Sequence, residues 1–233
     1  MKKIGLIGGL GPEATVDYYT AIIDAFKEEN KGSLNYPEII IYSVNMDHFI
    51  GKVQRKEYIS AIDYLTQGLQ ALERAGADFI AITANTPHLF FYDLQKRVGV
   101  PMLSIVEATA REAQRLGVKR AGLLGTGFTM DSDFFPEVFS RYRVEVAPPS
   151  ESDKEYINKK LFSEIELGIF KEETRKGLEE VIHRMQREES IDGIIMGCTE
   201  LPLILKEEKY NGVLSLNTTQ IHVNEIVEWS KKE

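Results

Sequence analysis

"IDGIIMGCTELP", residues 191–202, begins as an apolar run and ends with glycine, thiol, hydroxyl and carboxylate in succession. The first half has the length and flanks of a buried strand. The second half opens a helix, with Pro202 in its first turn. An earlier stretch, "ADFIAITANTPH" (77–88), has the same order of apolar strand, polar loop and proline-opened helix. A second pair repeats in the same way: "IGLIGGLGPEATVDYY" from Ile4 resembles "AGLLGTGFTMDSDFF" from Ala121. The pairs are offset by about 114 and about 117 positions, so both report one internal duplication.

The runs at 3–9, 38–44, 78–83, 101–106, 120–125, 144–149, 192–197 and 212–216 are short, apolar and bounded by turn residues. Helical stripes lie between them: Tyr18, Tyr19, Ile22, Ile23, Phe26; Tyr58, Ile62, Leu65, Leu69, Leu72; and Leu178, Val181, Ile182, Met185. Continuous apolar strands alternating with amphipathic helices specify parallel sheet covered on both faces. The predicted fold class is α/β, with two similar lobes, each a mainly parallel sheet flanked by helices, related by a pseudo-two-fold axis. The first lobe takes residues 1–105 and the second 106–216. A C-terminal helix within 217–233 is expected to pack back on the first lobe.

Across 233 residues the net charge is −8, with 43% hydrophobic and 27% charged residues, so a nucleic-acid partner or an acidic membrane surface is not expected. The apolar run after Lys2 and Lys3 is too short for a signal peptide, and no later segment is long enough to span a membrane. A single cysteine forms no internal disulfide, which suits a reducing, cytoplasmic setting.

In parallel α/β sheets ligands gather beyond the carboxyl ends of the strands. Four loops qualify, after Ile7, Ile82, Leu124 and Met196, and the duplication would bring them to one cleft. Cys198, just past a strand and before a helix, is then a working thiol or a small core filler. Loop amides and the helix dipole would favour its thiolate. Thr199 is a hydroxyl donor and Glu200 an acceptor for an ammonium, unless both only cap the helix. Asn85 and Thr86 can cap the next helix and also bind a carboxylate. His88 reads as a helix-surface or core histidine. His48, His183 and His222 show no metal-ligand spacing, so no metal is expected. Gly9, Gly11 and Ala14 meet a loose dinucleotide pattern, but Asn45 stands where an acid belongs, and a small anion is the better fit for the loop.

"IGLIGGLGPEAT", "ANTPH", "LGT", "MGCTELP" and "NTTQIH" together resemble the aspartate/glutamate racemase family, over nearly the whole chain. The resemblance implies a cofactor-independent isomerase, a homodimer, with a small amino acid as substrate. It also implies two cysteines, one on each side of the substrate's α-carbon, of which one removes the α-proton while the other returns one. On this reading Cys198 is the retained acid/base. Asn85, Thr86, Thr199 and Glu200 bind the substrate, with help from Thr126 and the Leu10–Gly11 loop.

The chain departs from that pattern in two places. Ala84 occupies the position of the family's first cysteine and can neither take nor give a proton, which leaves Thr83 as a possible substitute. Basic groups that would hold a second substrate carboxylate are also missing: Met46, Asp47, His48 and Phe49 follow the second strand, and Glu164 and Glu166 stand where a cation is wanted. Two other activities therefore remain open: a one-thiol, decarboxylase-like enzyme protonating a carbanion, and an amino-acid-binding homologue that has lost turnover.

Overall fold

The computed structural model describes residues 1–232, which form two compact units, Met1–Ile105 with His222 onward, and Val106–Ile221. Unit 1 contains β1 (Ile4–Gly8), α1 (Pro12–Asn30), β2 (Ile39–Ser43), α2 (Met46–Gln54), α3 (Tyr58–Arg74), β3 (Phe79–Ile82), α4 (Phe91–Gln95) and β4 (Met102–Leu103). Its sheet is parallel throughout, in the order β2-β1-β3-β4. β1 and β3 are central and buried along their whole length, as their unbroken apolar sequence requires. Ile4, Leu6, Phe79 and Ala81 meet Tyr18, Ile22 and Phe26 of α1 in one core cluster.

That cluster also contains Val223, Ile226 and Val227. They belong to the last helix of the chain, which begins in unit 2.

Unit 2 contains α5 (Ile105–Arg115), β5 (Arg120–Leu124), α6 (Gly127–Asp131), α7 (Phe134–Arg141), β6 (Glu145–Ala147), α8 (Glu151–Ser163), α9 (Glu172–Glu189), β7 (Gly193–Met196), α10 (Leu201–Ile204), β8 (Lys209–Tyr210), β9 (Val213–Leu216) and the start of α11 (Thr218–Lys231). The sheet order is β6-β5-β7-β9-β8, parallel except for the β8–β9 hairpin. Asn211 and Gly212 form the two-residue turn of that hairpin, with φ of 49° and 88°, the twist a tight hairpin needs.

The first three strands of each unit therefore share one order, second-first-third, with a further parallel strand (β4 or β9) beside the third, which is what a duplicated chain produces. Two details differ from the sequence expectation. β8 has only two residues, too few for any pattern to reveal. The run at 101–106 is a strand only at Met102–Leu103, because α5 already begins at Ile105.

In each sheet the order reverses between the first and third strands. The crevice for a ligand opens there, at their carboxyl ends. In unit 1 it lies beside the loops that follow β1 and β3. In unit 2 it lies beside the loops that follow β5 and β7.

Candidate active site

In unit 2, β7 delivers the chain to Gly197, Cys198, Thr199 and Glu200 before the single turn of α10. Gly197 N–H donates to the Leu124 carbonyl at 2.6 Å, tying this loop to the end of β5. Cys198 is buried, and its thiol donates to Glu200 Oε2 at 3.1 Å and to Glu166 Oε1 at 3.3 Å. The Thr199 hydroxyl donates to the same Glu200 oxygen at 3.1 Å.

These contacts reverse one expectation from the sequence. Burial, then the charges of Glu200 and Glu166, push the Cys198 thiol well above its ordinary pKa. The helix that follows has four residues, so little dipole opposes two adjacent carboxylates. The resting state is a thiol acting as a hydrogen-bond donor, not a thiolate.

Glu166 arrives from a 3₁₀ turn, Ile165–Leu167, between α8 and α9. Its neighbour Glu164 anchors that turn. The Glu164 carboxylate accepts from Lys160 Nζ at 2.7 Å, Lys171 Nζ at 3.2 Å and the Thr174 hydroxyl. Lys160 and Thr174 hold its carboxyl down to about 2. Gly168, with φ of 71°, ends the turn in the left-handed region. Glu164 is thus a structural group, while Glu166 is the one that reaches the thiol.

Thr126 caps α6, accepting from Thr129 N–H at 3.3 Å. Thr218 Oγ1, in the "NTTQIH" segment, donates to the Met196 carbonyl at 2.7 Å and holds the end of β7.

In unit 1 the loop after β1 turns through Gly9 and Gly11, with φ of 81° and 95°. Gly9 N–H donates to Thr15 Oγ1 at 2.9 Å, and that hydroxyl donates to the Gly11 carbonyl at 3.0 Å. Leu10, between the two glycines, is buried. The loop after β3 carries the remaining candidates. Thr83 is fully buried and its hydroxyl donates to the Ile7 carbonyl at 3.2 Å. Ala84 and Asn85 are buried and Thr86 half-buried. The Asn85 side chain does not cap the 3₁₀ turn Thr86–Phe90, contrary to the sequence expectation.

His88 is a core histidine. Its Nδ1–H donates to the Ala84 carbonyl at 2.9 Å and its Nε2 accepts from Ile105 N–H at 3.3 Å, which defines a neutral tautomer. Burial lowers its pKa to about 4.

Among the described residues, Glu166, Cys198 and Glu200 form the one group whose donor atoms could share a metal ion, all within 4.8 Å. The hydrogen bonds that join them already account for that closeness. Neither the approach of Glu166 nor the anchoring by Thr15 follows from the spacing read in the sequence. The only available signals were a threonine one turn into α1 and a glycine two residues after Glu166. Two surface clefts lie elsewhere. One, of about 370 Å³, is lined by Phe170, Lys171, Arg175 and Glu207. The other, of about 330 Å³, is lined by Tyr19, Ile23, Tyr36 and Ile39.

Comparison with known proteins agrees with this geometry. The Asp/Glu/Hydantoin racemase family model matches residues 7–226. The chain is similar in structure to an aspartate racemase homologue from Pyrococcus horikoshii OT3, with 38% identity, a TM-score of 0.86 and full coverage of both chains. A Yersinia pestis protein assigned to the Asp/Glu racemases gives 32% identity and a TM-score of 0.90, again over both whole chains. The broad-specificity amino-acid racemase RacX of Bacillus subtilis (strain 168) is 33% identical over 146 residues. That match spans 61% of this chain and 63% of the relative's length.

Proposed function

Because the chain belongs to the Asp/Glu/Hydantoin racemase family, and so to a family of isomerases, we propose that it is a cofactor-independent amino-acid racemase with Cys198 as its acid/base. The observation that carries this reading is the Cys198 thiol at the carboxyl end of a central strand, hydrogen-bonded to two carboxylates. Residue by residue, the loops suit an α-amino acid. Within unit 2, Thr199 and the amides beside it, with Thr126, donate to the substrate carboxylate. Glu200 accepts from its ammonium.

Pairing of that ammonium with Glu200 cancels one of the charges that keep the thiol protonated. The bound substrate thereby promotes the thiolate that removes its α-proton. The resulting carbanion is delocalised into the α-carboxylate, and a proton returned from Cys198 restores the acid. Ala84 offers no proton at the position where the family pattern has a second thiol, so return to the opposite face is slow.

The alanine also favours a second reading, a one-thiol enzyme whose cysteine only protonates a carbanion formed by loss of another group. The test is solvent-deuterium incorporation at the α-carbon, run over a panel of amino acids with the full chain and with Cys198→Ala. Exchange that disappears in the variant supports the racemase reading. Exchange that persists without the thiol, or is absent throughout, rejects it.

The reading extends to a cytoplasmic homodimer. A single cysteine fits a reducing compartment, and among the described residues no helix is long and apolar enough to cross a membrane. Exposed Val16, Tyr19 and Ile41 in unit 1 are apolar groups that a second copy would cover. Sedimentation at micromolar concentration checks the dimer.

A further inference from the structure

The segment "NTTQIH" (217–222) leads from β9 into α11. We propose that the N-terminus of α11 is a binding site for a carboxylate of the substrate, with the Thr219 hydroxyl as its side-chain donor. This rests on the racemase reading above and adds to the donors Thr199 and Thr126.

Among the described residues of unit 2, four helices open after a parallel strand of its sheet: α6 after β5, α8 after β6, α10 after β7 and α11 after β9. α6 and α10 have five and four residues, too few to build a useful dipole. α8 has thirteen, but Glu151 and Asp153 in its first turn already answer its positive end. α11 has fourteen residues and no acid in its first turn. It is the long helix of the four whose positive end is open to an anion from outside the chain.

That end lies at the thiol loop. Thr218 Oγ1 donates to the carbonyl of Met196, the last residue of β7, and β9 pairs with β7 as far as Leu216 and Ile195. Met196 is two residues before Cys198, a span of at most about 7 Å.

The second observation is Thr219 itself. It is 3% exposed, and its hydroxyl is buried with no hydrogen-bond partner among the described residues. The cap is complete without it: Asn217 Oδ1 accepts from Gln220 N–H at 3.0 Å and the Asn217 carbonyl from Ile221 N–H at 3.0 Å. Thr219 is the second residue of α11, and in a helix each Cα–Cβ bond tilts toward the N-terminus. The hydroxyl thus sits at the end where the first N–H groups have no acceptor within the helix. A buried hydroxyl with no partner opposes folding, and valine would fill the same space without that cost. A bound carboxylate accepts from the hydroxyl and meets the helix end at once. Glu200 and Glu166 repel a carboxylate at the thiol. An amino acid with its ammonium on Glu200 is therefore best placed with its negative group turned toward α11.

The experiment compares α-deuterium incorporation into L-alanine and L-methionine, which have only the α-carboxylate, with that into L-aspartate and L-glutamate. Wild type, Thr219→Val and Thr219→Ser are assayed, with urea unfolding in parallel. Because the hydroxyl has no partner in the free protein, the unfolding midpoint of Thr219→Val should hold or rise. Its KM should rise at least about tenfold, the loss of a hydrogen bond to a charged group, and Thr219→Ser should stay near wild type. A rise that includes alanine and methionine assigns the α-carboxylate to the site. One confined to aspartate and glutamate assigns the side-chain carboxylate. An unchanged KM on every substrate overturns the proposal. So does a lowered midpoint, which would give the hydroxyl a structural partner. If the folded protein exchanges no amino acid, the racemase reading fails, and titration calorimetry with L-alanine, L-aspartate and L-alaninamide, which has no carboxylate, decides the site. Binding that needs a carboxylate and weakens at least about tenfold in Thr219→Val supports it. Binding untouched by the variant, or no binding at all, overturns it.

Discussion

The imidazole of His88 donates to the carbonyl of Ala84 at 2.9 Å, while its other nitrogen accepts from the N–H of Ile105. The loop after β3 is therefore held by a neutral side chain in the core, which fixes the backbone at Ala84. Protonating His88 would destroy the acceptor used by Ile105 and bury an unpaired charge.

This gives a stability prediction with a definite sign. The folded pKa of His88 is about 4, against an ordinary 6.5. Between those values the unfolded chain binds more protons, so stability falls as pH falls below about 6.5 and the contribution is lost by about pH 4. A shift of that size is worth on the order of 3 kcal/mol for a fully buried group. Urea unfolding from pH 7 to pH 4 should show this decline, and His88→Asn should flatten it. An equally steep decline in the variant would assign the effect to other groups.

Cys198 should alkylate slowly. With its pKa raised by burial and by Glu200 and Glu166, the thiolate fraction near neutral pH is small. Iodoacetamide should label it more slowly than a free thiol, at a rate that climbs with pH beyond the range where free cysteine levels off. Glu166→Gln and Glu200→Gln each remove a like charge and should speed labelling at pH 7.5. Rapid labelling of wild type at that pH would mean that the thiol is already ionised.

On the proposed racemase reading, a thiol placed at position 84 should serve the second face of the substrate. General acid–base groups contribute typically about 10²–10⁴ in rate. Ala84→Cys should raise racemisation within that range while leaving single-face exchange through Cys198 nearly unchanged. Circular dichroism of the product measures the first and deuterium incorporation the second. A parent that racemises as fast as the variant would show that another group already protonates that face.

Gly9 tests the turn after β1. Its φ is +81°, and a Cβ there would lie 2.3 Å from the Val44 carbonyl oxygen and 2.6 Å from Ser43 Oγ. Gly9→Ala should cost at least about 1–3 kcal/mol from backbone strain alone, with more from the contact with Val44. Urea midpoints measure it. A loss below about 0.5 kcal/mol, the range of ordinary surface changes, would mean that the turn relaxes freely.

The parallel sheets were legible because apolar strands buried on both faces leave an unbroken signal, as in β1, β3 and β7. The duplication was legible because it preserved the order of strand, glycine turn and helix. Cys198 could be placed in its loop for the same reason. Its protonation state could not, since burial sets it first and the charges of Glu200 and of Glu166, 32 residues away, add to it, and no local pattern encodes burial or a contact across that separation. That the Thr83 hydroxyl donates to Ile7 of the neighbouring strand was not legible either, since it depends on strand register. A two-residue strand such as β8 carries no periodicity at all.

The division of α11 between the units ties the first core to a remote segment of the chain. Unit 2, residues 106–221, is one continuous length of chain. Unit 1 takes Val223, Ile226 and Val227 of its core from a segment that follows the whole of unit 2. Without them Ile4, Phe26 and Phe79 lose part of their cover. The first core is thus closed by contacts of very long sequence separation, whose loop-closure entropy must be met before they repay it.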